Sequence, residues 1–146
     1  VLVSTTHPDP DTSAPRFADL DTVIRDADYL SLHTRGGRSA SKLIDQSRLQ
    51  AMKATAVLIN TARGSLVDEE ALTKALSDGT IAGAALDVLE NEPLPTDSPL
   101  RGLDNVLITS HLAGQTTEAR TRAGLAAAHA VIDVLENREP AHPVDR

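Results

Sequence analysis

The chain has 146 residues, no cysteine and a formal net charge of −7. That length suits one domain with a buried core, and the lack of cysteine excludes a disulfide framework or a thiolate metal site; no metal is expected. No stretch concentrates Lys and Arg, so nucleic acid is not an expected partner, and no apolar run nears the roughly 20 residues that span a bilayer, so no membrane is expected either.

Val1-Leu2-Val3 is an apolar run with no Met before it, which reads as a strand already under way in a piece of a longer protein. A strand is expected over residues 1–4, then a helix capped by Asp19 with Leu20, Val23, Ile24 and Ala27 facing inward. Residues 29–32 form a second strand that ends in a polar, glycine-bearing loop over 33–37. A short helix follows over 43–52. Residues 56–60 are a continuous apolar run, the pattern of a strand buried on both faces. Asp68 then caps a helix whose stripe is Leu72, Ala75 and Leu76, with Glu69 and Glu70 in its first turn, a Glu70–Lys74 pair, and Gly79 just past its end. The next strand, 81–88, is rich in small residues through Ala82-Gly83-Ala84-Ala85, which implies that another backbone comes close. Pro93, Pro95 and Pro99 impose an irregular crossing to a last strand over 106–109. Thr116 caps a long final helix with Leu125, Ala128, Ile132 and Leu135 on one face, and Pro140 lies just beyond it.

Strand and helix alternate with short connections, so the expected fold class is α/β, a doubly wound parallel sheet with right-handed crossovers. Ligands of such sheets bind outside the carboxyl ends of the strands, which selects residues 33–37, 60–64, 87–92 and 109–114. Those ends bring Arg63, the acids Asp87 and Glu92, and His111 to one edge. A His beside a carboxylate suits a general acid near neutral pH, and an Arg grips a substrate carboxylate through two parallel hydrogen bonds. Each residue alone has a plainer reading: Arg63 and Glu92 as solvated loop charges, Asp87 as bonded to nearby amides, His111 as a satisfied loop histidine. His7, His33, His129 and His142 lack a comparable setting of acid and strand end.

Three blocks together carry a resemblance. Asn60-Thr61-Ala62-Arg63-Gly64-Ser65-Leu66-Val67-Asp68-Glu69 resembles a signature of the D-isomer-specific 2-hydroxyacid dehydrogenases. Gly83-Ala84-Ala85-Leu86-Asp87-Val88 with Glu90-Asn91-Glu92-Pro93-Leu94, and Asn105-Val106-Leu107-Ile108-Thr109 leading into His111-Leu112-Ala113-Gly114, are similar to that family's next two blocks, in the right order. The resemblance implies that residues 1–136 are the C-terminal portion of a Rossmann-like dinucleotide-binding domain, and that 137–146 are a tail returning toward a substrate domain. It also implies that the first strand–helix unit and the substrate domain lie outside this sequence.

By the same resemblance, Arg63 orients the substrate carboxylate, His111 is the acid-base and Glu92 holds His111. The cofactor, NAD or NADP, would be contacted by Thr5, His33, Thr34, Thr61, Ala62, Arg63, Asp87, His111, Ala113 and Gly114. The implied reaction interconverts a 2-oxo acid and a D-2-hydroxy acid by hydride transfer, in a cytoplasmic protein that pairs as a homodimer when complete. The alternative is a dinucleotide-sensing corepressor of the same family without significant turnover. Four departures bear on this. There is no G-x-G-x-x-G, so the pyrophosphate loop must lie upstream. Ser4-Thr5-Thr6-His7 holds no acid for a ribose 2′-hydroxyl, which leaves NADP open, and Arg35 or Arg38 is a candidate partner for a 2′-phosphate. Relatives tend to carry Pro at the positions of Arg35 and Ser110, whereas formate dehydrogenases carry Gln in place of Glu92.

Overall fold

A computed structural model describes residues 1–7, 16–35 and 42–143. The loop residues Gly36 and Gly37, and Arg38, lie outside the described residues. The chain divides into two compact units, Val1–His111 and Leu112–Arg146.

In the first unit every strand pairing among the described residues is parallel. β1 (Leu2–Val3) pairs with β2 (Arg16–Phe17), a strand too short and too polar to stand out in the sequence. β3 (Tyr29–Leu32), β4 (Val57–Asn60), β5 (Gly83–Leu86) and β6 (Val106–Ile108) form a second sheet in chain order. Parallel neighbours cannot be joined by a tight turn, so a crossover separates each pair. The register places Leu32 opposite Asn60, Asn60 opposite Leu86, and Leu86 opposite Ile108. All four strands of this sheet therefore end level, and His33, Thr61, Asp87 and Thr109 each begin a loop on the same edge.

Local chemistry explains the helices. Asp19 caps α1 (Leu20–Asp26) by accepting from the Thr22 amide at 2.8 Å, and Val23 and Ile24 are its buried residues. Leu20 and Ala27 pack half-buried against the same core. Asp68 caps α3 (Glu69–Ser77) through the Ala71 amide at 3.0 Å, burying Leu72, Ala75 and Leu76. Gly79 turns the chain out of α3 at φ 69°, the left-handed region where a Cβ is costly.

Two local expectations are corrected. The helix read over 43–52 is α2 (Gln46–Ala51), capped by Asp45. Ile44, fully buried, instead forms a parallel bridge to Val67, with its amide donating to the Leu66 carbonyl and its carbonyl accepting from the Asp68 amide. A residue committed to that bridge cannot sit in a helical turn. Lys74 pairs not with Glu70 but with Asp78 at 2.6 Å, at the negative end of the α3 dipole.

The core runs through the four-stranded sheet and α1 to α3, with Leu2 of β1 packed half-buried against it and Ile24, Ile44, Leu49, Leu58, Leu72, Ile81 and Leu100 as its most enclosed apolar side chains. β4 buries Leu58 and Asn60 and leaves Val57 and Ile59 half-buried, so only one of its two faces is sealed among the described residues. The small-residue strand behaves as expected: a Cβ on Gly83 would stand 2.8 Å from the Asn105 carbonyl oxygen.

The second unit is dominated by α4 (Thr117–Leu135), capped by Thr116 through the Ala119 amide at 3.1 Å. Arg138 closes its far end by pairing with Asp133 and Glu136. The face expected to turn inward is not buried: Leu125, Ile132 and Leu135 are all exposed among the described residues.

Leu58→Ala removes a side chain with no exposed surface and should cost about 2–5 kcal/mol of unfolding free energy. Gly83→Ala should cost about 1–3 kcal/mol by overpacking against Asn105. Urea denaturation reads both; a loss below 0.5 kcal/mol at both positions would show that the core is packed differently.

Candidate active site

Asp87, Glu92 and His111 come together at the level ends of β5 and β6. The Asp87 amide donates to the Asn60 carbonyl, which extends the β4–β5 ladder one residue past β5. Its carbonyl accepts from the His111 amide at 2.9 Å, and its carboxylate accepts from the Thr109 hydroxyl at 2.6 Å. Asp87 is buried, so this carboxylate is held by neighbours rather than by bulk water. His111 has φ 57°, a left-handed backbone that a branch-free non-glycine residue adopts only when its surroundings hold it. Its hydrogen bond to Asp87 supplies part of that hold.

The ring of His111 meets the carboxylate of Glu92, Nδ1 to Oε2, at 2.8 Å. The other carboxylate oxygen, Oε1, accepts from the Leu89 amide at 2.9 Å. Both oxygens of Glu92 are thus engaged, and its pKa is drawn below the usual 4.5, first by the His111 hydrogen bond and then by the Leu89 amide. Desolvation and the charge of Asp87 oppose this more weakly. With Nδ1 facing Glu92, Nε2 is the ring nitrogen left for other work, on a side chain that is about half exposed.

Arg63 stands in the loop after β4, and its backbone is shaped by Asn60. The buried Asn60 side chain donates from Nδ2 to the Arg63 carbonyl at 2.9 Å and accepts at Oδ1 from the Ala62 amide at 3.0 Å. One amide group therefore closes the turn from both sides. Gly64 then lets this loop touch the next. A Cβ there would fall 1.9 Å from the Leu89 carbonyl oxygen and 2.6 Å from the Glu90 amide nitrogen. The second loop is held in turn by an ion pair from Lys42 to Glu90 and by the Glu69 carboxylate, which accepts from the Glu90 amide at 2.9 Å.

Among the expected contact residues, His33, Thr34, Thr61, Ala62 and Arg63 line one cavity of about 450 Å³ together with Arg35. The His33 ring is steadied by a 2.9 Å hydrogen bond with the Ser31 hydroxyl. Among the described residues, no carboxylate lines this cavity. Thr5 follows β1 and its hydroxyl accepts from the His7 amide. Ala113 and Gly114 belong to the second unit. Asn60 and Thr109 lie in the selected strand ends but received no role from the sequence, although a polar residue closing an apolar strand is itself a signal: its hydrogen-bonding groups need partners inside the fold.

Gly64→Ala should force the two loops apart and cost about 1–3 kcal/mol in urea denaturation, and an unchanged midpoint would contradict the close approach. Because the Glu92 pKa is lowered on folding, its contribution to stability is present above the ordinary carboxylate value and lost as pH falls through the folded value. Glu92→Gln should therefore be less stable than the parent at pH 5 to 6 and converge with it in stronger acid, read as thermal midpoints against pH; a gap that persists in acid would contradict the ionised pair.

Residues 1–113 match the family described as D-isomer specific 2-hydroxyacid dehydrogenase, NAD binding domain. A glyoxylate reductase of Thermofilum pendens is 51% identical over 124 residues, covering 85% of this chain and 37% of that protein. The structure of a D-lactate dehydrogenase with NAD+ from Lactobacillus jensenii superposes with TM-score 0.91 at 32% identity, over 99% of this chain and 48% of the other. An NADPH-dependent glyoxylate/hydroxypyruvate reductase of Sinorhizobium meliloti, with NADP and malonate, gives TM-score 0.88 at 32% identity, over 97% and 44%. The chain thus spans less than half the length of these relatives. With the parallel sheet and the three sequence blocks, these matches establish that the chain belongs to the D-isomer-specific 2-hydroxyacid dehydrogenases and carries residues of their NAD-binding domain.

Proposed function

We propose that the full-length protein interconverts a small 2-oxo acid and its D-2-hydroxy acid, using NAD or NADP. The observation that carries this reading is the His111–Glu92 pair, 2.8 Å apart at the sheet edge where ligands of such folds bind.

A bound nicotinamide supplies the hydride for reduction and accepts it in oxidation. His111 donates a proton from Nε2 to the substrate carbonyl oxygen during reduction and recovers it in the reverse direction. Glu92 fixes the ring by its Nδ1, which leaves Nε2 turned to the proton transfer. Arg63 pairs with the substrate carboxylate, a task for which its forked guanidinium is better shaped than an ammonium. Asp87, buried and carrying acceptor oxygens at the end of β5, would hold the nicotinamide carboxamide. Thr5, His33, Thr34, Thr61, Ala62, Ala113 and Gly114 would contact the rest of the cofactor. Glyoxylate is the first substrate to test, because it names the similar enzymes of Thermofilum pendens and Sinorhizobium meliloti. The reading also takes residues 1–136 as part of the cofactor domain and 137–146 as the returning tail, in a cytoplasmic homodimer.

The test is consumption of NADH or NADPH by the full-length protein with a panel of 2-oxo acids. His111→Ala should lower kcat by about 10²- to 10⁴-fold, the usual contribution of a general acid, and Arg63→Lys should raise KM for the 2-oxo acid. If both dinucleotides bind and neither is consumed with any substrate, the enzyme reading fails and a dinucleotide sensor of the same family takes its place.

A further inference from the structure

Glu69 and Glu70 open α3 side by side, and in the sequence both read as first-turn acids that complement its dipole. The fold separates them. Glu70 is exposed, whereas Glu69 is half-buried and its Oε2 accepts from the Glu90 amide at 2.9 Å, 21 residues along the chain. The Glu90 carboxylate in turn meets Lys42, so residue 90 is anchored by its backbone to one segment and by its side chain to another. Those two segments are themselves joined. Lys42 stands two residues before Ile44 and Glu69 two after Val67, and Ile44 and Val67 form the parallel bridge whose Ile44 is fully buried. The clamp on residue 90 therefore has a base fixed by the core.

The peptide it grips adjoins the one that aims Glu92. The Leu89–Glu90 peptide lies so close over Gly64 that a Cβ there would stand 1.9 Å from its oxygen and 2.6 Å from its nitrogen. Contact with Gly64 limits the approach of this peptide, and the Glu69 carboxylate sets the direction of its N–H. The amide on the other side of Leu89 donates to Glu92 Oε1 at 2.9 Å, and Glu92 Oε2 meets His111 Nδ1 at 2.8 Å. Leu89 is buried, so its side chain resists any turn of the backbone between these two peptides. From this chain of contacts we propose that Glu69 is a positioning residue for the His111–Glu92 pair, acting through the Leu89–Glu90 peptide with Lys42 in support. The proposal rests on the reading of His111 as the acid-base given above. Neither Glu69 nor Lys42 lines the cavity that Arg63 borders, so the effect falls on proton transfer rather than on cofactor binding.

The test compares the full-length parent with Glu69→Ala, Glu69→Gln and, as a control in the same helical turn, Glu70→Ala. Steady-state kinetics with glyoxylate and NADH or NADPH give kcat and KM, and carboxyl-carbon NMR gives the Glu92 pKa. Loss of one hydrogen bond should lower kcat in Glu69→Ala by about 3- to 10-fold at an unchanged dinucleotide KM. The Glu92 pKa should rise toward the ordinary carboxylate value as the Leu89 amide loses its aim. Glu69→Gln keeps an acceptor oxygen and should restore both quantities, and Glu70→Ala should change neither. Parent values of kcat and of the Glu92 pKa in Glu69→Ala overturn the proposal, as does a lowered thermal midpoint with no other change. Equal losses in Glu69→Ala and Glu70→Ala also overturn it, because they report only charge at the helix end. A parent that turns over no 2-oxo acid overturns the dehydrogenase reading, and the Glu92 pKa still decides whether Glu69 positions the pair.

Discussion

The level ends of the four-stranded parallel sheet are the constraint on which the site depends. Leu32, Asn60, Leu86 and Ile108 lie in register, so four chain segments separated by tens of residues all emerge on one edge. A slip of one residue in any strand would reverse which side chains enter the core, and Leu30, Leu58, Ala84 and Leu86 are too deeply buried for that exchange to be tolerated. Burial of apolar side chains thus fixes register, and register fixes where the polar loops begin. The placement of Arg63, Asp87 and His111 is a by-product of packing forces that involve none of their charges.

Between the loops, backbone geometry does what the sheet cannot. Gly64 admits the Leu89 carbonyl to a distance that forbids any Cβ, which locks the Arg63 loop to the loop that carries Glu92. Asn60 completes the lock from within the fold by satisfying one amide and one carbonyl of the turn that it begins. A buried polar side chain with both ends paired is stable, and unpaired it would be costly, so the turn has one favourable shape. The charged groups are then set against a rigid frame. Glu92 divides its two oxygens between the Leu89 amide and the His111 ring, so the carboxylate is aimed by the backbone before it engages the imidazole. The buried Asp87 is aimed in the same way by the Thr109 hydroxyl.

Unlike groups gather at two places on the one edge. Arg35 and Arg63 line the cavity beside β3 and β4. The end of β5 and β6 sets a carboxylate next to an imidazole, suited to moving a proton.

Much of this was legible in the order of residues alone. The caps Asp19, Asp68 and Thr116, the apolar runs of β3, β4 and β6, and the small residues of β5 depend on interactions within a few positions, and such interactions are written in local spacing. The family blocks likewise named Arg63, Glu92 and His111 before any geometry was known. Tertiary structure alone decided the rest, because the deciding partner in each case is distant in the chain. Ile44 leaves a helical stretch to bridge Val67, β2 forms because β1 offers it an edge, and Asn60 serves a turn only because β4 buries it. Of the two acids near His111, spacing admitted either; the fold sets Glu92 against the ring and turns Asp87 toward Thr109. The physical reason is that a hydrogen bond or a close contact across the sheet depends on register and burial, which are properties of the whole packed chain and of no segment in it.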